Sequence, residues 1–229
     1  MNRIAVIVYG QYREFEIAQT SWEFLKNLNC DFYFSTWSKS YSGGNEKNVR
    51  VIDIKEENIK KYFPNTKINI LEEKNISYDH HLNSKKMIFH WKNGLKMITD
   101  SGIKYEQIIL NRFDIFYELK TNDITKFYNL KEKNTIYNNR FGLFLNERNT
   151  YTIDDQFFIG EYETMSKFIN ELNYDFEVNV HDYLASAIIE LNLKLISLED
   201  MIDMCVVRSN VRELDKINLE TINEKFKTW

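Results

Sequence analysis

Arg112 and Asp114 stand two positions apart in Ile108-Ile-Leu-Asn-Arg-Phe-Asp-Ile-Phe116, directly after an apolar run. In an extended segment, residues i and i+2 leave the same face, so the guanidinium and the carboxylate would be presented together. Asp114 is a hard oxygen ligand suited to Mg²⁺ or Mn²⁺ bridging a diphosphate. The same spacing also suits a plain salt bridge. A second acidic cluster, Asp154-Asp155-Gln156, runs into the apolar Phe157-Phe158-Ile159-Gly160. Adjacent carboxylates beside a buried strand repel each other, which can raise one pKa and suits a general base. A turn or helix-capping role fits them equally. In a strand their side chains point to opposite faces, Asp155 with Phe157 and Ile159, Asp154 with Gln156 and Phe158, so only one could face a cleft. Alternation leaves the choice open.

Three further groups could bind rather than react. Gly10-Gln11-Tyr12-Arg13 follows an apolar strand and opens a helix. Its backbone N–H groups and Arg13 could meet a phosphate, or Gln11 a nucleobase; an ordinary turn with a solvated arginine is the plain alternative. Thr36-Trp37-Ser38 ends a second apolar run, where the indole could stack on a base or belong to the core. His181-Asp182 opens a helix, so the imidazole could complete a metal shell or simply cap and pack. Asp79-His80-His81 reads as a solvated loop.

The elements that must position these groups follow from periodicity. Ile4 to Tyr9 is a short continuous apolar run, as expected of a central strand covered on both faces. Arg13 to Leu28 carries Phe15, Ala18, Trp22, Leu25 and Leu28 at helical spacing, and Cys30 to Trp37 is β-rich. The first forty residues therefore read β-α-β, which implies a right-handed crossover and a parallel sheet. Ser38 to Asn48 is a polar loop. Strands are expected at Val49–Ile54, Lys67–Leu71, within Tyr105–Tyr117, and at Asn134–Asn139, Thr152–Ile159, Leu193–Leu198 and Cys205–Val207. Helices are expected at Glu56–Phe63 (stopped by Pro64), Lys85–Thr99, Glu161–Leu172 and Val178–Leu191. Leu219 to Phe226 suggests a packed terminal helix. Polar groups at the end of a buried strand are where an open α/β sheet gathers its ligands. The reading is a single α/β domain over 1–229, a mostly parallel central sheet flanked by helices, with a C-terminal helical tail from about residue 211.

Composition narrows the function classes. The 229 residues are 43% hydrophobic and 15% aromatic, with a net charge of −4, one proline and seven glycines. This describes a packed globule without the electrostatic footprint of a nucleic-acid binder. Cys30 and Cys205 form no C-x-x-C pair, so they read as reduced thiols of a cytoplasmic protein. The six-residue N-terminal run is too short for a signal-peptide core or a membrane span. There is no G-x-G-x-x-G, G-x-x-x-x-G-K, H-E-x-x-H or G-x-S-x-G, which argues against dinucleotide, P-loop, zinc-protease and serine-hydrolase chemistry. A D-x-D pair is also missing.

Taken in order, Tyr9-Gly-Gln-Tyr-Arg13, Ser21-Trp22, Asp31-Phe-Tyr-Phe-Ser-Thr-Trp37, Phe89-His-Trp91, Ile108 to Phe116 and Ile153-Asp-Asp-Gln-Phe-Phe-Ile-Gly160 form a recognisable series. It resembles the GT-A-fold glycosyltransferases of the lipopolysaccharide and capsule (WavE-like) type and related viral sugar transferases, over roughly residues 3 to 195. In that family R-x-D takes the place of D-x-D. The resemblance implies that Asp114 holds a divalent metal, with His181 as a weaker second ligand, and that Arg112 contacts the donor sugar or phosphates. It further implies that Gly10, Gln11, Tyr12, Arg13, Thr36 and Trp37 hold the nucleotide and that Asp155, or else Asp154, is the base. The implied activity is sugar transfer from a nucleotide-diphosphate donor to a glycan hydroxyl, assisted by Mn²⁺ or Mg²⁺, in polysaccharide biosynthesis. A non-catalytic nucleotide-sugar or glycan-binding module and a nucleotidyltransferase are the alternatives. No nucleic-acid partner and no membrane span are expected, and the sequence is silent on oligomeric state.

Overall fold

The computed structural model describes residues 3–42, 50–72, 80–139, 144–145 and 151–206. The N-terminal apolar run forms strand β1, Ile4–Gly10. Its side chains divide strictly between two cores: Ile4, Val6 and Val8 enter one, and Ala5, Ile7 and Tyr9 the other. A continuous apolar run is what a strand covered on both faces requires.

After β1 come α1 (Phe15–Ala18), a 3₁₀ turn (Gln19–Ser21), α2 (Glu23–Asn27) and β2 (Cys30–Trp37). A small antiparallel ribbon follows, β3 (Lys39–Ser42) with β4 (Arg50–Asp53), then α3 (Glu56–Lys60) and β5 (Lys67–Leu71). The middle of the chain holds α4 (His80–Asp100), β6 (Gln107–Arg112), β7 (Ile115–Leu119), a 3₁₀ segment (Ile124–Asn129) and β8 (Thr135–Asn138). Next are β9 (Phe144–Leu145), β10 (Tyr151–Thr152), β11 (Phe157–Glu161), α5 (Tyr162–Glu171), α6 (Val180–Glu190), β12 (Lys194–Ser197) and β13 (Ile202–Val206).

Seven of these strands make one sheet in the order β12-β8-β11-β6-β1-β2-β5. Only β11 runs against its neighbours, pairing antiparallel with both β6 and β8; the other pairings are parallel. The expected α/β architecture, a mostly parallel sheet flanked by helices, is therefore present. One face is covered by α1, α2, α3 and the β7–β13 ribbon, with Phe15, Trp22, Phe34 and Phe113 at its centre. The other is covered by α4, α5 and α6, with Trp91, Phe158 and Phe168 between them and the sheet. Helix α4 lies so close to β1 that a Cβ on Gly94 would sit 2.3 Å from Ile7 Cγ2. Only glycine allows that approach.

Four departures from the sequence reading have local causes. The helix expected over 13–28 is broken at residues 19–21, where the Thr20 and Ser21 hydroxyls donate to the carbonyls of Ile17 and Ala18. Hydroxyl-to-backbone bonds of this kind compete with a helical ladder. Trp22 then leaves helical geometry, and its indole N–H donates to the Ile115 carbonyl at 2.7 Å. The polar stretch after Trp37 contains a strand, β3, because β4 supplies a partner ladder. The single strand expected at 152–159 is split into β10 and β11 by residues 153–156. His80 and His81 begin α4 rather than sitting in a loop. The tail expected from about 211 lies outside the described residues. Cys30 is unpaired and half-buried, and burial raises its thiol pKa; the side chain of Cys205 is not among those described. Among the described residues no helix is long and apolar enough to cross a membrane.

Candidate active site

The parallel strands β1, β2 and β6 end together, with Tyr9 beside Arg112 and Gly10 beside Thr36. Beyond their carboxyl ends lies a cleft of about 1070 Å³. An open sheet of this kind leaves its crevice at that edge. Its floor holds Tyr9, Gly10, Gln11, Arg13, Arg112, Asp114 and Asp155, and its walls come from Trp37 with Lys86, Met87 and His90 of α4, and from Gln156 with residues 177–182.

At the floor, four charged side chains form a chain. The Arg112 guanidinium grips Asp114 with two bonds, Nε to Oδ1 at 3.0 Å and Nη2 to Oδ2 at 2.9 Å. Arg13 adds Nη1 to the same Oδ2 at 3.1 Å, and Arg112 Nη1 reaches Asp155 Oδ1 at 3.5 Å. Asp114 is 3% exposed at its side chain, Arg112 16% and Arg13 34%. Burial would raise the Asp114 pKa, but Arg112 and Arg13 outweigh it and hold the carboxyl below its usual range. Burial would lower the Arg112 pKa, and Asp114 and Asp155 outweigh that too, so the guanidinium is held above its ordinary value.

The backbone is bent to make this meeting. Gly10 ends β1 at φ +98°, and Arg13 has φ +32°, a rare state for a side-chain-bearing residue other than Asn. The Arg13 N–H is fixed by Ser40 Oγ at 2.8 Å, and its Nε donates to Gln11 Oε1 at 3.1 Å. Such strain costs on the order of 1–3 kcal/mol and is found where the surroundings hold it in place. Phe113 and Asp114 form a turn between β6 and β7, so Arg112 and Asp114 do not share one face of an extended strand as expected. The turn folds the carboxylate back onto its neighbour's guanidinium.

Asp155 lies in the bend before β11, again not in an extended strand, and lines the cleft. The Tyr9 hydroxyl holds this bend by donating to the Asp155 carbonyl at 2.6 Å. Burial pushes the Tyr9 phenol well above its ordinary pKa, so it remains a donor. Asp154 is not a cleft residue: its Oδ2 accepts from Asn139 Nδ2 at 3.3 Å and its carbonyl from Asn138 Nδ2 at 2.9 Å. Tyr12 and Thr36 also fall outside. The Tyr12 ring packs between Phe15 and Phe113 in the core, with its hydroxyl on the Asn58 carbonyl. Thr36 is buried and donates to the Gly10 carbonyl at 2.7 Å, so it shapes the turn without reaching the cleft.

His181 lines the cleft at the start of α6. Its ring Nδ1 lies 2.7 Å from the Ile153 carbonyl. Trp37, also in the lining, stacks parallel on Phe89 at 5.9 Å and meets the His90 ring edge-on at 4.5 Å. His90 was missed in the sequence. It is buried, its Nδ1 lies 2.7 Å from Ser35 Oγ, and burial, with Lys86 adding to it, lowers its pKa to about 3. The available signal was its position one turn before Gly94, on the side of α4 that approaches the sheet most closely. Tyr9, which the sequence shows only at the strand end that opens Tyr9-Gly-Gln-Tyr-Arg13, likewise carries no site role in that reading.

The described residues do not fit a resident divalent ion. Both Asp114 oxygens are occupied by guanidinium donors. No group of three or more His, Cys, Asp or Glu side chains converges among the described residues. No family model and no curated protein matches the sequence. Among solved structures, the chain is similar to a Desulfovibrio desulfuricans G20 protein with the provisional name nucleotide-diphospho-sugar transferase. Identity is 11%, covering 86% of this chain and 80% of that one, with a TM-score of 0.43. That likeness is too distant to carry the role of any residue.

Proposed function

We propose that this protein transfers a sugar from a nucleoside-diphosphate donor to a hydroxyl of a glycan acceptor. The observation that carries the reading is the meeting of Arg13 and Arg112 on one buried carboxylate at the carboxyl edge of a parallel sheet. Two guanidiniums held within hydrogen-bond reach of a single point suit a diphosphate, whose oxygens accept from planar donors in pairs. Arg13 is the more exposed of the two and is the group a donor would meet first. Trp37, backed by Phe89, offers an aromatic face in the same cleft for the base.

In the transfer the acceptor oxygen attacks the anomeric carbon while that carbon's bond to the diphosphate oxygen breaks. The electron pair leaves with the diphosphate. Arg112 and Arg13 neutralise the charge that grows there, and the low exposure of the floor makes them more effective than they would be in water. This reading routes no step through a metal ion.

Calorimetry against a panel of nucleoside diphosphates and nucleotide sugars tests the proposal. One of them should bind, and Arg13→Ala should weaken that binding by about 10–100-fold, as expected for one or two lost charge-assisted bonds, with the thermal melt retained. Slow donor hydrolysis should release the nucleoside diphosphate. Cleavage within the diphosphate would instead indicate a nucleotidyltransferase. Binding without turnover would indicate a binding module, and no binding at all would sink the reading.

A further inference from the structure

We propose that His181, through Nε2, takes the proton from the acceptor hydroxyl. This assignment rests on the transfer proposed above and gives the start of α6, where it lines the cleft, a chemical role.

The argument begins with the bond on the other side of the ring. His181 Nδ1 lies 2.7 Å from the carbonyl oxygen of Ile153. A carbonyl only accepts, so Nδ1 must carry the proton. In the neutral ring the remaining lone pair then belongs to Nε2. A histidine whose tautomer is set by a backbone acceptor on one nitrogen is arranged to act as a base with the other.

The anchor is rigid. Ile153 is 1% exposed, and its own N–H returns a 3.4 Å bond to the His181 carbonyl, so loop and helix are strapped in both directions. The His181 N–H is received at 2.9 Å by the side chain of Asn179, which caps α6. Ring, backbone and helix start are all fixed by named partners. This is the pre-organisation a proton acceptor needs.

The location follows from the same strap. Two residues beyond Ile153, Asp155 contacts Arg112, and two residues of extended chain span at most about 7 Å. One short segment therefore contacts both the guanidinium that would meet the leaving group and the imidazole, and both residues line the same cleft. For the transfer, the acceptor hydroxyl is to lie in that cleft within reach of the anomeric carbon and of Nε2. Asp155, the base implied by the family resemblance, is already engaged: its carboxylate faces Arg112 at 3.5 Å, while its carbonyl takes the Tyr9 hydroxyl.

The step balances. The O–H bond of the acceptor breaks and its proton forms an N–H bond at Nε2, giving an imidazolium. The oxygen's electron pair forms the new glycosidic bond, and the old C–O pair departs on the diphosphate. One positive charge appears on His181 and one negative charge on the leaving group. The imidazolium then returns its proton to water.

His181→Asn is the informative variant, because the amide N–H can replace Nδ1–H on the Ile153 carbonyl while no lone pair stands at Nε2. With the nucleotide sugar that binds best and a competent acceptor, it should lower the transfer kcat by about 10²–10³ and leave nucleoside-diphosphate affinity within about twofold of wild type. Acceptors with more acidic hydroxyls should lose less, and added imidazole should restore part of the rate to His181→Ala. A merely structural histidine would produce neither effect. Full activity in His181→Asn, or the large loss appearing in Asp155→Asn instead, overturns the assignment while the transferase reading stands. A wild-type protein that turns over no nucleotide sugar overturns both. Nitrogen-15 NMR of the wild-type ring gives an independent check that needs no variant to fold: the proton should be on Nδ1, and a proton on Nε2 of the neutral ring refutes the proposal.

Discussion

The sheet carries an arginine–aspartate pair at each end, and the two pairs have opposite surroundings. At the amino edge Arg3 grips Asp31 through Nε and Nη2, with the Tyr105 hydroxyl on the same carboxylate at 2.8 Å. These side chains are half-buried, at 42% and 33% exposure, and the guanidinium lies over the Tyr105 ring. At the carboxyl edge Arg112 grips Asp114 just as tightly, but the exposures are 16% and 3%. A second guanidinium and a second carboxylate join the pair there. Exposed pairs are screened by water and hold little free energy. The buried centre of the set must satisfy its charges internally, which is why Arg112 and Asp114 each meet two oppositely charged partners. The same two residue types thus close a rim at one end and line a cleft at the other.

Removing one arginine from each end should separate the two most sharply. Arg112→Met leaves Asp114 and Asp155 without their shared partner and should cost about 3–5 kcal/mol in urea unfolding, as for one half of a buried pair. Arg3→Met should cost at most about 1 kcal/mol, the range of an exposed pair. Equal costs would mean that burial is not what distinguishes the ends. The buried set also has a pH signature of definite sign. The folded Asp114 carboxyl is held below its unfolded value, so its contribution is full above about pH 4 and is lost as pH falls through the folded pKa.

What the sequence reveals of these two ends is unequal. The central strand is legible because two-sided burial leaves a continuous apolar run at Ile4–Gly10, and Cys30–Trp37 and the edge strand Lys67–Leu71 also lie where the pattern puts them. The cleft is legible only as a set of names. Arg13, Arg112, Asp114, Asp155, Trp37 and His181 do reach it, yet their geometry comes from departures no periodicity encodes. These are the left-handed backbone at Arg13, the turn at Phe113–Asp114 and the bend over 153–156. Tyr12 and Thr36 were drawn in by adjacency and lie in the core, because neighbours in a turn do not point the same way. His90 could not be found from its own letter. Its place depends on how closely α4 approaches β1 at Gly94.

His90 supplies the next largest effect, on the wall of the same cleft. Burial first, and the Lys86 cation second, lower its pKa to about 3, so the folded protein keeps the ring neutral. The unfolded chain takes up a proton at about pH 6.5. Stability from this group is therefore full above pH 6.5 and falls by roughly 1.4 kcal/mol per pH unit as pH drops toward 3. Between pH 6.5 and 4.5 that amounts to about 2–3 kcal/mol. Urea unfolding at the two pH values measures it, and His90→Gln should remove one proton's worth of slope. An unchanged slope would show that the cleft wall is not the acid-sensitive part of the molecule.

The smallest expected effect is the response to divalent cations, and the comparison of the two ends predicts it to be nearly nil. A cation at Asp114 would need at least one carboxylate oxygen, and guanidinium nitrogens already lie 2.9–3.1 Å from the two oxygens. At an effective dielectric of about 20, each contact of this type at roughly 4 Å is worth about 4 kcal/mol of Coulomb energy before solvation. The entering ion would also face two positive groups it had displaced. Stripping the protein with EDTA and then adding Mn²⁺ should change nucleoside-diphosphate affinity by less than about threefold, a shift below 1 kcal/mol. If Mn²⁺ instead raises affinity tenfold and Asp114→Asn abolishes the gain, the carboxylate exchanges its guanidiniums for a metal when the donor arrives. The carboxyl-edge set would then be a resting arrangement that opens, and its many partners would measure how firmly the empty cleft is held rather than how the diphosphate is bound.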